Sequence, residues 1–347
     1  MRIGVTRCPN GLLGAFEALS LGLPCPPSSG VKSAQRGIRT KDTWIRRRRD
    51  NVAEDQANLP GWTSEVTIHQ SEGRRTMGTR RDMFAQFAPM LRSISDEQLA
   101  KEIANPKRLL LSSGTAGNRR IDIAYAPFDD ANPEARLVLV GLTPGRQQMG
   151  NALREARRGL LAGLSEAESL AAAESFASFS GPMRTHLVAM LDGIGVNQLL
   201  GMRSTALLWD GDTSLVHFTS VCSNPVFVDG KNYSGAPPVL TTPILREQIE
   251  IGFVPEVASL RQSIFVPLGT QVSKVVEFAA VEAGLDQSRV LAGLPHPSGA
   301  NAERIAFFLG RKPRELLSNK VNPERLNAAR AELKKKVNRL KRTSGKR

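Results

Sequence analysis

The 347-residue chain carries 47 Lys and Arg against 33 Asp and Glu, a formal net charge of +14. With 41% apolar and 23% charged residues it has a globular composition rather than a disordered one. No apolar run approaches the 18 or so residues that a spanning helix requires, so no membrane partner is expected.

The charge is concentrated at the ends. Residues 1–50 hold 10 basic and 3 acidic side chains, residues 311–347 hold 14 and 3, and the 260 residues between them carry a net −4. A mildly acidic body with two basic arms points to a polyanionic partner; arms that only confer solubility are the alternative. Cys8, Cys25 and Cys222 are few and widely spaced. They offer no disulfide framework and no Cys-x-x-Cys metal pair, which suits a reducing, intracellular location in the cytoplasm or nucleoid. The first 25 residues faintly resemble a secretory leader, but Glu17 interrupts the apolar stretch and no small-x-small cleavage site follows.

In chain order, residues 1–80 read as an arm, with a Pro/Ser/Gly cluster at 24–30 and the basic run Arg46 to Arg49. Short helices are expected over 81–91 and 95–103, the second opened by a Ser95/Gln98 capping box. Residues 109–111 and 121–125 read as strands around the turn at 114–118. Further strands are expected at 136–140, 216–222, 263–268 and 289–294. Helices are expected at 147–170, 182–194, 244–251, 271–283 and 302–309. Residues 322–341 read as a solvated basic helix without a wide apolar stripe. Strands alternating with helices imply an α/β fold: three layers, α/β/α, with a central, mainly parallel sheet and basic terminal extensions.

Ligand sites in such sheets lie at the carboxyl ends of the strands. Two loops stand there, Gly141-Leu142-Thr143-Pro144-Gly145 and His296-Pro297-Ser298-Gly299-Ala300-Asn301. Each alone is a weak signal: a strand-to-helix turn, and a histidine beside a helix cap. In order they resemble the two signature loops of the uracil-DNA glycosylase superfamily. The stretch Phe179-Ser180-Gly181, then 187–195, is similar to its iron–sulfur branch, as are 217–221, 245–250 and 267–269. The resemblance covers about residues 105–312. It implies an amino-terminal extension over 1–104, partly disordered, a catalytic domain over 105–312, and a basic helix or tail over 313–347. It departs at the cluster ligands: Asn224 and Thr242 lie near two expected cysteines and the amino-terminal cysteine pair is missing. No iron–sulfur cluster, other metal or organic cofactor is therefore expected.

The resemblance also implies roles. A base inside a duplex must be extruded to be attacked. Phe179 is then the stacking platform, and Gly141, Leu142, Pro144 and Gly145 shape the pocket. His296 stabilises the anion that develops on the leaving base. Thr143 stands where several branches carry Asn or Asp; it can orient water but is a poor base, so either cleavage is largely dissociative and needs only positioning, or a carboxylate helps, with Asp122, Asp192 and Asp210 as the candidates. Ser220 falls near the base-reading Asn, with Asn224 as a substitute in another register. Gly145 replaces a Tyr that walls off C5 in the uracil-specific branch, so a C5 substituent is tolerated. Ser298, Asn301 and Arg304 approach the DNA backbone. The implied function is a DNA glycosylase removing a uracil-like or C5-modified pyrimidine, in repair or against modified foreign DNA. A catalytically inactive nucleic-acid-binding member of the superfamily is one alternative; a small-molecule hydrolase on the same sheet is another.

Overall fold

Leu137-Val138-Leu139-Val140 is apolar at every position, as a strand covered on both faces must be. In the computed structural model, which describes residues 80–129, 132–177, 182–211 and 213–344, this segment is fully buried. The expected amino-terminal arm and Phe179 lie outside the described residues.

The elements run in the order α1 (Arg80–Ser93), α2 (Asp96–Ala104), β1 (Leu110–Ala116), β2 (Arg119–Ala124), β3 (Leu137–Gly141), α3 (Arg146–Leu161), α4 (Glu166–Ala177), α5 (Pro182–Ile194), α6 (Val196–Leu200) and α7 (Leu207–Asp210). They continue through β4 (Val216–Ser220), β5 (Val226–Val228), β6 (Lys231–Asn232), α8 (Pro243–Gln248), α9 (Val254–Ser259), β7 (Ile264–Pro267), α10 (Thr270–Ala283), α11 (Ala302–Phe308) and α12 (Pro323–Ser344). A π turn at Ile249–Phe253 joins α8 to α9.

The chain is a mixed α/β protein. Strand β3 lies between β4 and β7, parallel to both, with Leu137 opposite Val216 and Ile264. Alternating side chains divide between two cores. Val138 and Val140 pack with Val272, Val276 and Ala280 of α10, whereas Leu137 and Leu139 pack with Leu187 and Leu191 of α5 and Phe308 of α11. Buried His217 on β4 and Glu256 on α9 are hydrogen-bonded at 2.7 Å.

A second sheet, β1-β2-β5-β6, is antiparallel throughout. The sequence reading found its first hairpin, turned at Gly117 with φ +58°, but not β5 and β6. The strand expected at 289–294 shrinks to a single bridge between Val290 and Phe265. Gly293 ends it by adopting φ +121°, a conformation open to glycine.

The expected boundaries at 104 and 313 do not coincide with the packing. Helix α2 opens with both hydrogen bonds of the Ser95/Gln98 capping box. Its buried Glu102 then accepts from the backbone N–H groups of Lys107, Arg108 and Leu109, fastening the helix to β1. Phe84, Leu91, Leu99 and Ile103 form one core with Met149 and Leu153 of α3. Residues 80–104 are part of the body.

The carboxyl-terminal helix is likewise docked, contrary to the solvated helix expected. Leu333, Val337 and Leu340, spaced by four and three residues, share one face and enter the core of Leu191 and Ile194. Lys336 donates to the Val290 carbonyl at 3.0 Å. The apolar stripe is narrow, yet it is buried, while Arg325, Lys334, Lys335, Arg339 and Arg342 remain exposed. A Cβ on Gly293 would stand 3.2 Å from the Ala329 Cβ of α12. Gly293→Ala is therefore expected to cost about 1–3 kcal/mol through strain alone, read as a lowered thermal midpoint. Among the described residues, no helix is long and apolar enough to cross a membrane.

Candidate functional site

Because β4, β3 and β7 are parallel, the loops that follow them leave from one edge of the sheet. Gly141 closes β3 opposite Ser220, the last residue of β4. Leu142 continues the ladder, its carbonyl accepting from the Cys222 N–H at 3.0 Å. Thr143 then leaves it. Its hydroxyl donates to the Asn224 carbonyl at 2.9 Å and accepts from the Val226 N–H at 3.1 Å. Thr143 thus staples the first loop to the segment entering β5, leaving a single lone pair for a water. Asn224 is buried and serves the staple through its backbone.

Pro144 and Ser220 come together around a small pocket of about 30 Å³, shared with Phe128, Gln148, Phe218 and Thr219. That space suits about one water. Gly145 does not line it. Its N–H donates to the Gln148 side chain at 3.1 Å, starting α3, and a Cβ there would meet only Asn232 at 3.5 Å.

The second loop is built differently. Leu268, at the end of β7, donates to the Val140 carbonyl, and Gly269 follows at φ +96°. A Cβ on Gly269 would stand 3.3 Å from the Cβ of His296, so the histidine packs directly on that strand end. The Ser298 N–H donates to His296 Nδ1 at 3.3 Å. An accepting Nδ1 places the proton of the neutral ring on Nε2. Burial pulls the His296 pKa below the usual histidine value, which favours that neutral ring. The result is an oriented Nε2–H donor.

Sequence reasoning missed His186. From α5 its Nδ1–H donates to the Pro297 carbonyl at 2.9 Å and pins the second loop. No local pattern signals this contact, which depends on residues 111 positions apart. Ser298, Asn301 and Arg304 form a chain: the Asn301 amide donates to Ser298 Oγ, Arg304 donates to Asn301 Oδ1, and Arg304 also donates to the Lys320 carbonyl at 2.8 Å. These contacts brace the loop against the segment leading to α12. The structure therefore gathers the predicted residues into two groups: Gly141 to Gly145 with Ser220 and Asn224, and His296 with Ser298, Asn301 and Arg304. His296 does not line the pocket at Pro144 and Ser220.

The two positions near expected cluster cysteines do not fit that task. Asn224 offers no thiolate, and the Thr242 hydroxyl donates to the Pro238 carbonyl at 2.7 Å. Cys222 is fully buried, and burial pushes its thiol up to about 12, so it carries no thiolate at neutral pH. Among the described residues, no three His, Cys, Asp or Glu side chains gather as metal ligands.

Fold and site together define a mixed α/β protein with its candidate chemistry on the carboxyl edge of a short parallel sheet. In sequence the chain is 34% identical over 233 residues to the uncharacterized protein YoxB of Bacillus subtilis (strain 168), covering 63% of this chain and 91% of YoxB. The chain belongs to the same family as YoxB. No family model matches the chain, and no solved structure matches it.

Proposed function

We propose that the chain is an intracellular DNA N-glycosylase that extrudes and hydrolyses off a uracil-like or C5-modified pyrimidine, serving repair or attack on modified foreign DNA. The observation that carries the reading is His296: a desolvated imidazole at a strand end, with Nδ1 occupied and Nε2–H without a partner among the described residues. Cores on both faces of the parallel sheet support a three-layer arrangement.

In the reaction, the bond between base and sugar breaks as the electron pair leaves with the base. Water adds to the sugar carbon and its released proton passes to the departing base anion, giving a free neutral base and an abasic site. Nε2–H of His296 is a neutral donor for the base oxygen as charge develops there. The small pocket at Pro144 and Ser220, which His296 does not line, must widen toward His296 to admit a pyrimidine within reach of that donor. Phe179 is assigned as the stacking face on the strength of the resemblance. Gly145, carrying no side chain, puts no wall against C5. The exposed cations of α12, with the basic residues 1–50, are assigned to the DNA backbone.

Base release is expected to show an acid limb. Because the folded pKa of His296 lies below the usual histidine value, the neutral donor prevails at pH 7. The neutral ring is lost only as pH falls through a value below about 6.5; Nε2–H remains, but the Ser298 contact that orients it does not. Protonation also turns Nδ1 into a donor facing the Ser298 N–H. A rate profile that rises as pH falls through 6 contradicts this assignment. Removing residues 1–50 is expected to weaken DNA affinity and to flatten its dependence on salt, since fewer counterions are released. Binding measured from 50 to 300 mM salt checks this; an unchanged slope marks the arm as a solubility tail.

The commitment of the Thr143 hydroxyl to the Asn224 carbonyl and the Val226 N–H favours a second reading, an inactive DNA-binding member, because a hydroxyl so engaged is poorly placed to activate water. Mass spectrometry of bases released from uracil-containing, thymine-mismatched and bulky C5-modified DNA decides between the two.

A further inference from the structure

A second, larger cavity of about 440 Å³ lies beside the antiparallel sheet, lined in part by Lys107, Arg120, Asp122, Arg146 and Phe227. Arg146 is its fixed point. The guanidinium lies 4.1 Å over the centre of the Phe227 ring. It donates to the carbonyls of Ile103 and Ala104, both at 2.5 Å, and of Gly230 at 2.8 Å. Three of its five N–H groups are thereby engaged, and two remain. No carboxylate pairs with it among the described residues, and burial pulls its pKa below the usual value. A rigid, partly desolvated cation held by neutral carbonyls and an aromatic face, with no carboxylate, is electrostatically incomplete.

The remaining charges add to this. Lys107 is exposed and has no ionic partner among the described residues. Asp122, the carboxylate in the cavity lining, is already engaged by the Arg120 guanidinium and by the Ser113 hydroxyl. Three cations therefore face one occupied carboxylate, and the volume is that of a small-molecule site.

We propose that this cavity binds a phosphate ester, with Arg146 and Lys107 holding the phosphate and the rest of the space taking its organic portion. Guanidinium groups favour phosphate because their planar N–H fork matches its oxygens. The ester is either a free mononucleotide or a backbone phosphate of a nucleic acid. The proposal stands without the glycosylase reading, since neither His296 nor the small pocket takes part.

Calorimetric titration of the full chain with thymidine, thymidine 5′-monophosphate and the dinucleotide TpT tests it, comparing wild type with Lys107→Gln, Arg146→Gln and the exposed control Lys274→Gln. Both phosphate esters, or one of them, should bind while thymidine does not. Arg146→Gln should weaken binding tenfold or more, Lys107→Gln about threefold, and Lys274→Gln less than twofold. Preference for the monoester identifies a free nucleotide as the source; preference for TpT identifies a backbone phosphate. Arg146 also ties two backbone segments, at 103–104 and at 230, to α3, so if Arg146→Gln fails to fold, Lys107→Gln alone carries the comparison. Diffuse attraction to the net charge would change equally in the Lys107 and Lys274 variants. That equality, or no binding of either ester by wild type, overturns the proposal.

Discussion

Replacing His296 with alanine is expected to slow base release by about a hundredfold or more, the usual loss when one donor to a developing anion is removed, while thermal stability changes little. The ring is partly exposed and its one hydrogen bond among the described residues is a 3.3 Å contact from the Ser298 N–H, so the fold depends on it weakly. Single-turnover rates with saturating enzyme read the effect directly, and a parallel melting curve separates it from unfolding. His186→Ala acts in the same direction but less strongly. It frees the Pro297 carbonyl and loosens the loop without touching the donor. A His296→Ala protein that releases base at the wild-type rate makes His296 a structural histidine.

The second large effect concerns stability. Leu333 is fully buried against α5 and α11 in a core that also takes in Val337. Leu333→Ala is expected to cost about 2–5 kcal/mol, the range for leucines truncated in close-packed cores. Deleting residues 323–347 should then unfold much of that core, exposing Leu191, Ile194 and Phe308. Denaturant titration measures both. If deletion leaves the midpoint unchanged, the helix is an appendage. The same deletion cannot serve as a clean test of DNA affinity, because it removes exposed cations and buried apolar side chains together; Lys334→Gln with Lys335→Gln keeps the core and removes charge only.

What the sequence disclosed follows the length scale of each signal. The run Leu137 to Val140 announces a doubly covered strand because all four side chains are apolar. Ser95 and Gln98 announce a helix start because the capping box is local. Helix α12 was misread because only three of its clearly apolar positions, 333, 337 and 340, reach the core, amid a dense set of cations. Strand β5 was missed because three residues are too few to show a period. The site divides in the same way. The loops 141–145 and 296–301 were visible as motifs, and both occupy the carboxyl edge of the sheet. The staple made by Thr143, the pin made by His186 and the tautomer of His296 arise from contacts with distant or backbone groups, which no side-chain pattern encodes. Arg146 stands in no motif. Its importance comes from three carbonyls that the fold brings around it.

The most direct measurement is mass spectrometry of free bases after incubating the full chain with single- and double-stranded DNA carrying uracil, thymine mismatches or bulky C5-modified cytosines. A free pyrimidine base should appear with wild type from at least one substrate and be reduced at least a hundredfold with His296→Ala. No free base from any of them, with DNA still bound, contradicts the glycosylase assignment and leaves the chain a DNA-binding protein.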